Sequence, residues 1–327
     1  MHKKSILLAL SGSEQSYQAA QVAWVLARKT NSCLLAQHVV DTRGAWSFFG
    51  CERAGLIGSG MYISTYDTVC QSLKELGKKL AEKYEAMSES QELKSVCVID
   101  EGAPLEEICR RAEDCDLVIT GHFPGASAEH NGFVGGEHSQ SKSLAEQLSD
   151  RCSKPLLIVQ GQSKPWTKLK ILLSIEHMNF EFVSECLRLS ETLGLCPKLI
   201  CLSSGCHEQT AVQLITNMRA AHPKFSNLTI EIVGVGSGVN EEQSIWTTKP
   251  TQVELAASEE DLFVVSTEQI GGKRTTVFGT PTAAFIQALN LPNILFYPEE
   301  NLANLNEGLD KKSDFDSSQE IVAAHSR

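Results

Sequence analysis

The leading candidate for a functional site in this sequence is a glycine-rich stretch between two apolar runs. Residues 121–143 read GHFPGASAEHNGFVGGEHSQSKS and separate DLVIT (116–120) from PLLIVQ (155–160). Glycine lets a backbone approach an anion closely and turn where a side chain would clash. The stretch is therefore either a cradle for the phosphates of a nucleotide or an elongated surface loop, and the residues alone leave both interpretations open.

Other chemistries find no matching pattern of residues. His122, His130 and His138 share the glycine-rich stretch, but their even spacing matches no common metal-ligand geometry, so we expect solvated histidines and no metal. The 11 cysteines are scattered without CxxC spacing, which favours reduced thiols in apolar surroundings. His38 and His177 lie at predicted strand ends and are interpreted as structural. No GxSxG elbow or paired motif fixes a nucleophile, and we predict no catalytic residues.

The bulk composition narrows the function classes. At 327 residues and 42% hydrophobic content, the chain is long enough for about two globular domains. A formal net charge of −11 argues against non-specific binding to nucleic acid or to an anionic membrane surface, because both need a basic face. No apolar run approaches the roughly 18 residues of a membrane helix, so we expect a cytoplasmic protein without membrane insertion.

Short apolar runs alternate with amphipathic segments through the first half of the chain. Fully apolar runs of this length are typical of parallel strands that helices cover on both faces. Such alternation predicts a parallel sheet with helices on both of its faces. The runs are SILLAL (5–10), CLLAQHVV (33–40), SVCVI (95–99), DLVIT (116–120) and PLLIV (155–159).

The second half repeats the pattern of the first. KILLSIEHM (170–178) restates SILLALSGS, and DLFVVS (261–266) restates the Asp-Leu start of DLVIT. We therefore predict an α/β fold with two tandem doubly wound five-stranded parallel-sheet domains. The predicted boundaries are 1–162 for the first domain and 168–299 for the second, with a mobile acidic tail at 300–327.

The order of the phrases resembles the universal stress protein family in a tandem form, over about 300 residues. The phrases that carry this resemblance in the first half are Ser11–Gly12–Ser13, His38–Val39, Gly102–Ala103–Pro104, Asp116 to Gly121, and Pro155 to Val159. The resemblance implies that the two domains pack against each other as a pseudo-dimer. It also implies that ATP or another adenine nucleotide lies across the carboxyl ends of the strands, where strand order reverses.

In the first domain, the resemblance implies a nucleotide site built from strand ends and glycines. Ser11 and Val39 would lie at the ends of the first two strands, with Ser11 standing where the family has an aspartate. Gly121, Gly125 and Gly135 match the family's loop glycines in one register. In a second register, counted back from Pro155, Ser143 caps the last helix and contacts a phosphate.

In the second domain, a different subset of the family's site residues is present. Glu176 keeps a carboxylate at the end of the first strand, and Gly279–Thr280 matches the pair before the last helix. Gly271 and Gly272 precede two cations that could hold phosphate, although Ser266 and Gln269 replace the two earlier glycines.

The segment 42–66 is unusually apolar for a connection, with Trp46, Phe48 and Ile57 among its residues. Apolar patches of this kind mark contact sites, so we expect it to pack against the other domain or another subunit. Three functions remain open: a nucleotide-responsive regulatory or protective stress protein, a nucleotide-free scaffold acting through protein partners or homo-oligomers, and a slow ATPase.

Overall fold

The computed structural model describes fifteen stretches of the chain, and within them one continuous sheet carries helices on both faces. The strands are β1 (Ser5–Ala9), β2 (Cys33–Asp41), β3 (Ser95–Gly102), β4 (Leu117–Gly121), β5 (Leu156–Val159), β6 (Lys168–Ser174), β7 (Cys196–Ser203), β8 (Thr229–Gly234), β9 (Asp261–Ser266) and β10 (Asn293–Tyr297). The helices are α1 (Glu14–Thr30), α2 (Thr42–Phe48), α3 (Ser59–Ser90), α4 (Pro104–Ala112), α5 (Leu144–Arg151) and α6 (Phe180–Leu193). The described residues are 4–48, 59–93, 95–122, 143–162, 164–174, 179–203, 212–213, 216–217, 219–220, 228–234, 257–268, 270, 282, 285–286 and 291–298.

The two halves of the sheet have the same strand order. The full order is β3-β2-β1-β4-β5-β10-β9-β6-β7-β8. Counted from the outer edge inwards, the strands of each half follow in the order third, second, first, fourth and fifth along the chain. All pairings within a half are parallel. The predicted tandem of doubly wound five-stranded units is thereby confirmed. The proposed boundaries place β1 to β5 in the first unit and β6 to β10 in the second.

The units join through their edges, with β5 and β10 paired antiparallel. The two units therefore pack edge to edge as a pseudo-dimer, and their strands form a single ten-stranded sheet. The reason lies in the strands themselves, since both are almost wholly buried apolar runs. An edge strand of that kind leaves N–H and C=O groups unpaired, and pairing two such edges satisfies them.

The register of the seam reveals a local two-fold axis. Val118 of β4 pairs with Leu156 of β5, and the equivalent residue of β9, Phe263, pairs with Ile294 of β10. Leu157 and Leu295 each follow by one residue, so they occupy equivalent positions in their units. These two leucines face each other directly across the seam. Equivalent residues meet in this way only at a symmetry axis, so the repeat forms a pseudo-dimer centred on this pair.

Two apolar cores lie on opposite faces of the sheet. One is covered by α1, α3 and α6, and the other by α4 and α5. Helix α1 forms here because Ser13 caps its start, Asn31 ends it in the left-handed conformation, and one face carries buried alanines. Helices α1 and α6 contact each other, so the first core runs across the seam without interruption.

The aspartates that begin the fourth strand segment of each unit make different contacts. Asp116 accepts a hydrogen bond from the Ser5 backbone N–H at 2.7 Å. Asp261 is buried and accepts from the Lys170 ammonium at 2.7 Å, and Lys170 also lies over the Phe263 ring. The second unit therefore contains a buried ion pair at a place where the first unit has a backbone hydrogen bond.

Much of the apolar 42–66 segment is helical rather than a loop, since it contains α2 and the start of α3. Trp46 packs edge-on against Tyr66 within the segment, with ring centroids 4.9 Å apart. Helix α2 also contacts β3, and Arg43 pairs with Glu106 of α4 at 2.9 Å, so the described part of the segment packs on its own unit rather than on the other one. Residues 49–58, including Ile57, lie outside the described residues. The expectation that the thiols lie in apolar surroundings was wrong for Cys33, which is exposed.

The seam can be tested by placing a charge at its axis. Leu157→Asp would put a carboxylate against Leu295 with no cation to pair with it, since neighbouring seam residues are apolar. We expect a loss of about 3–5 kcal/mol in the free energy of unfolding, measured by urea denaturation. The matched control is Val96→Asp on the outer strand, where the side chain is 60% exposed and the change should be small. Equal losses in the two variants would contradict the seam.

Candidate functional site

The carboxyl edge of the first unit brings together the ends of β1, β2 and β4. Strand β1 lies between β2 and β4, and Ala9 pairs with Gln37 on one side and Thr120 on the other. Ser11, Val39 and Gly121, predicted from separate motifs, therefore meet at one edge of the sheet. The chain leaves β1 in one direction and returns to β4 in the other, and ligands of doubly wound sheets bind at this switch point.

Three serines hold the turn between β1 and α1. The Ser11 backbone N–H donates to the Ser16 hydroxyl at 2.8 Å, and the Ser11 and Ser13 hydroxyls lie 2.9 Å apart. Beside this turn lies a cavity of about 340 Å³, with Tyr17 and Lys83 in its wall. Ser11 is exposed, so its hydroxyl can reach a ligand, but it offers a neutral oxygen where a carboxylate would offer charge.

Val39 is half-buried against the core under α4. Its pairing partner on β3 is Asp100, which carries a carboxylate. That carboxylate already accepts from Arg111 at 2.5 and 2.7 Å and from the Gln37 amide at 2.7 Å. The Arg111 guanidinium lowers the pKa of Asp100 below its usual value. Asp100 is therefore engaged in tying α4 to the sheet and does not replace the carboxylate missing at Ser11. Sequence reasoning missed this cluster, although an acid at a strand end before an arginine-bearing helix was a usable signal.

Gly121 is required by packing. A Cβ atom at this position would lie 2.5 Å from the backbone carbon and oxygen of Gln15, in the first turn of α1. Close approach of β4 to α1 therefore demands glycine whether or not a ligand binds. Ser266 follows the equivalent strand segment of the second unit, and its hydroxyl donates to Glu268 at 3.0 Å.

Ser143 caps α5, as the second register predicted. Its hydroxyl accepts from the Glu146 N–H at 3.2 Å, while its own N–H donates to the Glu146 carboxylate at 2.8 Å. Glu146 is 1% exposed. This capping box places a negative charge at a helix N-terminus, where the helix dipole favours it. The same charge opposes a phosphate at that place.

His122 is buried, so the expectation of a solvated histidine was wrong. Its backbone N–H donates to the Val159 carbonyl at 2.9 Å, which continues the pairing of β4 with β5. Burial lowers the pKa of the imidazole below 6.5, and the nearby Glu146 carboxylate only partly opposes this. His38 is satisfied structurally, with Nδ1 3.0 Å from the Leu10 carbonyl oxygen.

Several predicted positions fall outside the described residues. Among the residues that the structure does describe, no group of three or more His, Cys, Asp or Glu side chains could hold a metal ion. The cysteines within those same stretches form no disulfide bond. The predicted positions not described are Gly125, Gly135, Glu176, Gly271, Gly272, Gly279 and Thr280, together with His130, His138, His177 and the tail at 300–327.

Comparison with known proteins agrees with the repeat and its fold. No protein-family model matches the chain. A universal stress protein of Methanocaldococcus jannaschii is 27% identical over 163 residues, which cover 49% of this chain and 84% of the relative. The structure of a universal stress protein from Archaeoglobus fulgidus covers 90% of this chain and 96% of that chain, with 15% identity and a TM-score of 0.56. A universal stress protein family structure from Burkholderia pseudomallei covers 48% of this chain, with 20% identity and a TM-score of 0.33.

The fold and the switch point define a two-unit doubly wound α/β protein with its candidate site at the strand ends. The comparisons agree with the resemblance noted in the sequence: about half of the chain is similar in sequence to a universal stress protein, and its two-unit fold is similar to that of a universal stress protein structure. None of the described helices combines the length and apolar character that a bilayer crossing requires.

The burial of His122 predicts how stability changes with pH. The unfolded chain binds a proton near pH 6.5, whereas the folded imidazole resists it, so the unfolded state binds more protons as pH falls below that value. Stability should therefore be unaffected by this group above pH 7 and decrease as pH falls from 6.5 towards the folded pKa. His122→Asn should remove that part of the slope in urea titrations between pH 7 and 5. An unchanged slope would show that His122 titrates as it does in water.

Proposed function

We propose that this protein is a regulatory or protective stress protein that binds an adenine nucleotide at the carboxyl edge of its first unit. The observation that carries the proposal is the convergence of Ser11, Val39 and Gly121 at the switch point between β1 and β4. These residues come from three separate segments of the chain, and the fold alone brings them to one edge. Ser143 belongs to the same proposed site.

The contacts available favour the nucleoside over the phosphates. Ser11 offers an exposed hydroxyl and lines the cavity beside the serine turn, which offers about 340 Å³ of space. Val39 offers an apolar contact at the same edge of the sheet, on the face under α4 and outside that cavity. At the start of α5, by contrast, the Glu146 carboxylate already occupies the capping position that a phosphate would use. We therefore expect weak binding in which adenosine supplies most of the affinity. The second-unit positions Glu176, Gly271, Gly272, Gly279 and Thr280 remain a proposed second site.

A nucleotide-free scaffold is the second candidate function. Trp46 and Ile63 are 39% and 49% exposed, close to where α2 packs on α3. Exposed apolar side chains that lie near one another suit a protein partner or a second copy of the chain. Failure of all nucleotides to bind would favour this alternative. No observation favours the slow ATPase, because the described residues offer no activated nucleophile or metal set.

Titration calorimetry of the full chain with ATP and with adenosine tests the proposal, once co-purified nucleotide has been excluded. Glu146→Gln keeps an oxygen that can accept from the Ser143 N–H but removes the charge. We expect this variant to bind ATP about 2- to 5-fold more tightly and adenosine with unchanged affinity, since only the phosphates feel the charge. Gly121→Ala is unsuited to this test, because its methyl group would displace α1.

Glu113→Gln is the matched control, since Glu113 is an exposed acid at the far end of α4. It should leave both affinities unchanged. The proposal fails if the wild-type chain gives no heat with either ligand, or if Glu146→Gln alters ATP and adenosine binding equally.

A further inference from the structure

A second cavity lies along the outer side of α1 and adjoins the cavity beside the serine turn, with which it shares Tyr17, Trp24 and Met87. Its volume is about 420 Å³, within the range typical of small-molecule sites. Helix α1 forms one wall, the last turn of α3 another, and the connection between the two units a third. Tyr17, Trp24, Val25, Met87 and Trp166 supply most of the apolar surface.

The charges around this cavity are all positive. Arg28, Lys29 and Lys164 line it, and none of the described lining residues is Asp or Glu. This is unexpected on a chain with a net charge of −11. Among the described residues, Arg28 donates to the Gln91 side-chain oxygen at 3.1 Å and Lys29 to the Leu193 carbonyl at 2.8 Å, and both acceptors are neutral. Lys164 alone is paired with an acid, Glu259.

The polar groups in the aromatic wall are hydrogen-bond donors. The indole N–H groups of Trp24 and Trp166 are buried and make no hydrogen bond in the structure. Both residues line the cavity, so its wall contains two indole donors without an acceptor among the described residues. Donors and cations on an apolar floor suit a ligand that has an apolar body and an anionic head.

We propose that this cavity binds a small amphipathic anion, a carboxylate or sulfonate with an apolar body, between α1 and the connection of the two units. Arg28 and Lys164 hold the head, while Val25, Met87 and Trp166 contact the body. The cavity also includes Leu193 at the end of α6, so a bound anion contacts both units at once. The acidic tail of the same chain has matching charge, but the volume suits a small molecule better than a docked chain segment.

Two fluorescent probes of the same shape test the proposal on the full chain. These are 1-anilinonaphthalene-8-sulfonate, which is anionic, and N-phenyl-1-naphthylamine, which lacks the charge. We expect one sulfonate probe per chain, bound at least about 5-fold more tightly than the neutral probe. Dodecanoate should displace it, whereas ATP should not, since ATP is assigned to the strand-end site.

Variants of the cavity wall should separate charge from shape. Arg28→Gln with Lys164→Gln should abolish the preference for the anionic probe and leave the neutral probe unchanged. Val25→Asp should weaken the sulfonate about 5- to 10-fold, because it adds an acid at a position already 45% exposed. The matched controls are Lys78→Gln with Lys79→Gln, two exposed cations of α3 outside the cavity, and Val96→Asp on the outer strand.

Four results would overturn the proposal. Equal affinity for the two probes, unaffected by the wall variants, would mean that both probes bind to apolar surface without recognition of the charge. Several sulfonate probes per chain without displacement by dodecanoate would mean the same. Displacement by ATP would place the probe in the strand-end site instead. Tighter binding after removal of residues 299–327 would show that the tail occupies the cavity in the native chain.

Discussion

The antiparallel pairing of β5 with β10 is the interaction on which the rest of the molecule depends. Each strand is the inner edge of a five-stranded parallel unit, and each is apolar almost throughout. Left unpaired, either edge would expose both backbone groups and apolar side chains, which is the usual route to aggregation. By pairing Leu157 with Leu295 the chain converts two exposed edges into the centre of one sheet.

The seam also determines where ligands can be bound. Because the strands run in opposite directions on its two sides, the carboxyl edge of the first unit and that of the second lie at opposite ends of the sheet. The proposed nucleotide site therefore lies at one end, beside the serine turn. The cationic cavity lies instead where α1 meets the connection between units, so its lining includes residues from both of them. The two sites share Tyr17, Trp24 and Met87 as a common wall.

The fold was predictable from the sequence because its signals are repeated. The runs SILLAL and DLVIT each have a counterpart in the second half, and burial on both faces explains their apolar character. The way the units join was not predictable. Nothing in LLIV or NILF distinguishes an edge strand that pairs with its repeat from one that a helix covers, since both are equally apolar.

The site was predictable only in its position. The positions of Ser11, Val39 and Gly121 were predicted from the ends of the predicted strands. The helix cap at Ser143 was predicted from its position just before a helix. The charges could not be predicted, because they depend on which side chains turn inward. Glu146 reads as an ordinary first-turn acid, yet the fold buries it beside His122. Similarly, Asp100 has no free charge to offer once Arg111 reaches it from α4.

Amide hydrogen exchange of the intact chain tests the seam most directly. If β5 and β10 form the centre of one sheet, the amides of Ile158 and Ile294, which pair with each other across the seam, should exchange as slowly as those of β1, because opening them requires global unfolding. The outer strand β3 should exchange much faster. Fast exchange at both Ile158 and Ile294, with slow exchange in β1, would show that the two units are separate sheets and would contradict this account.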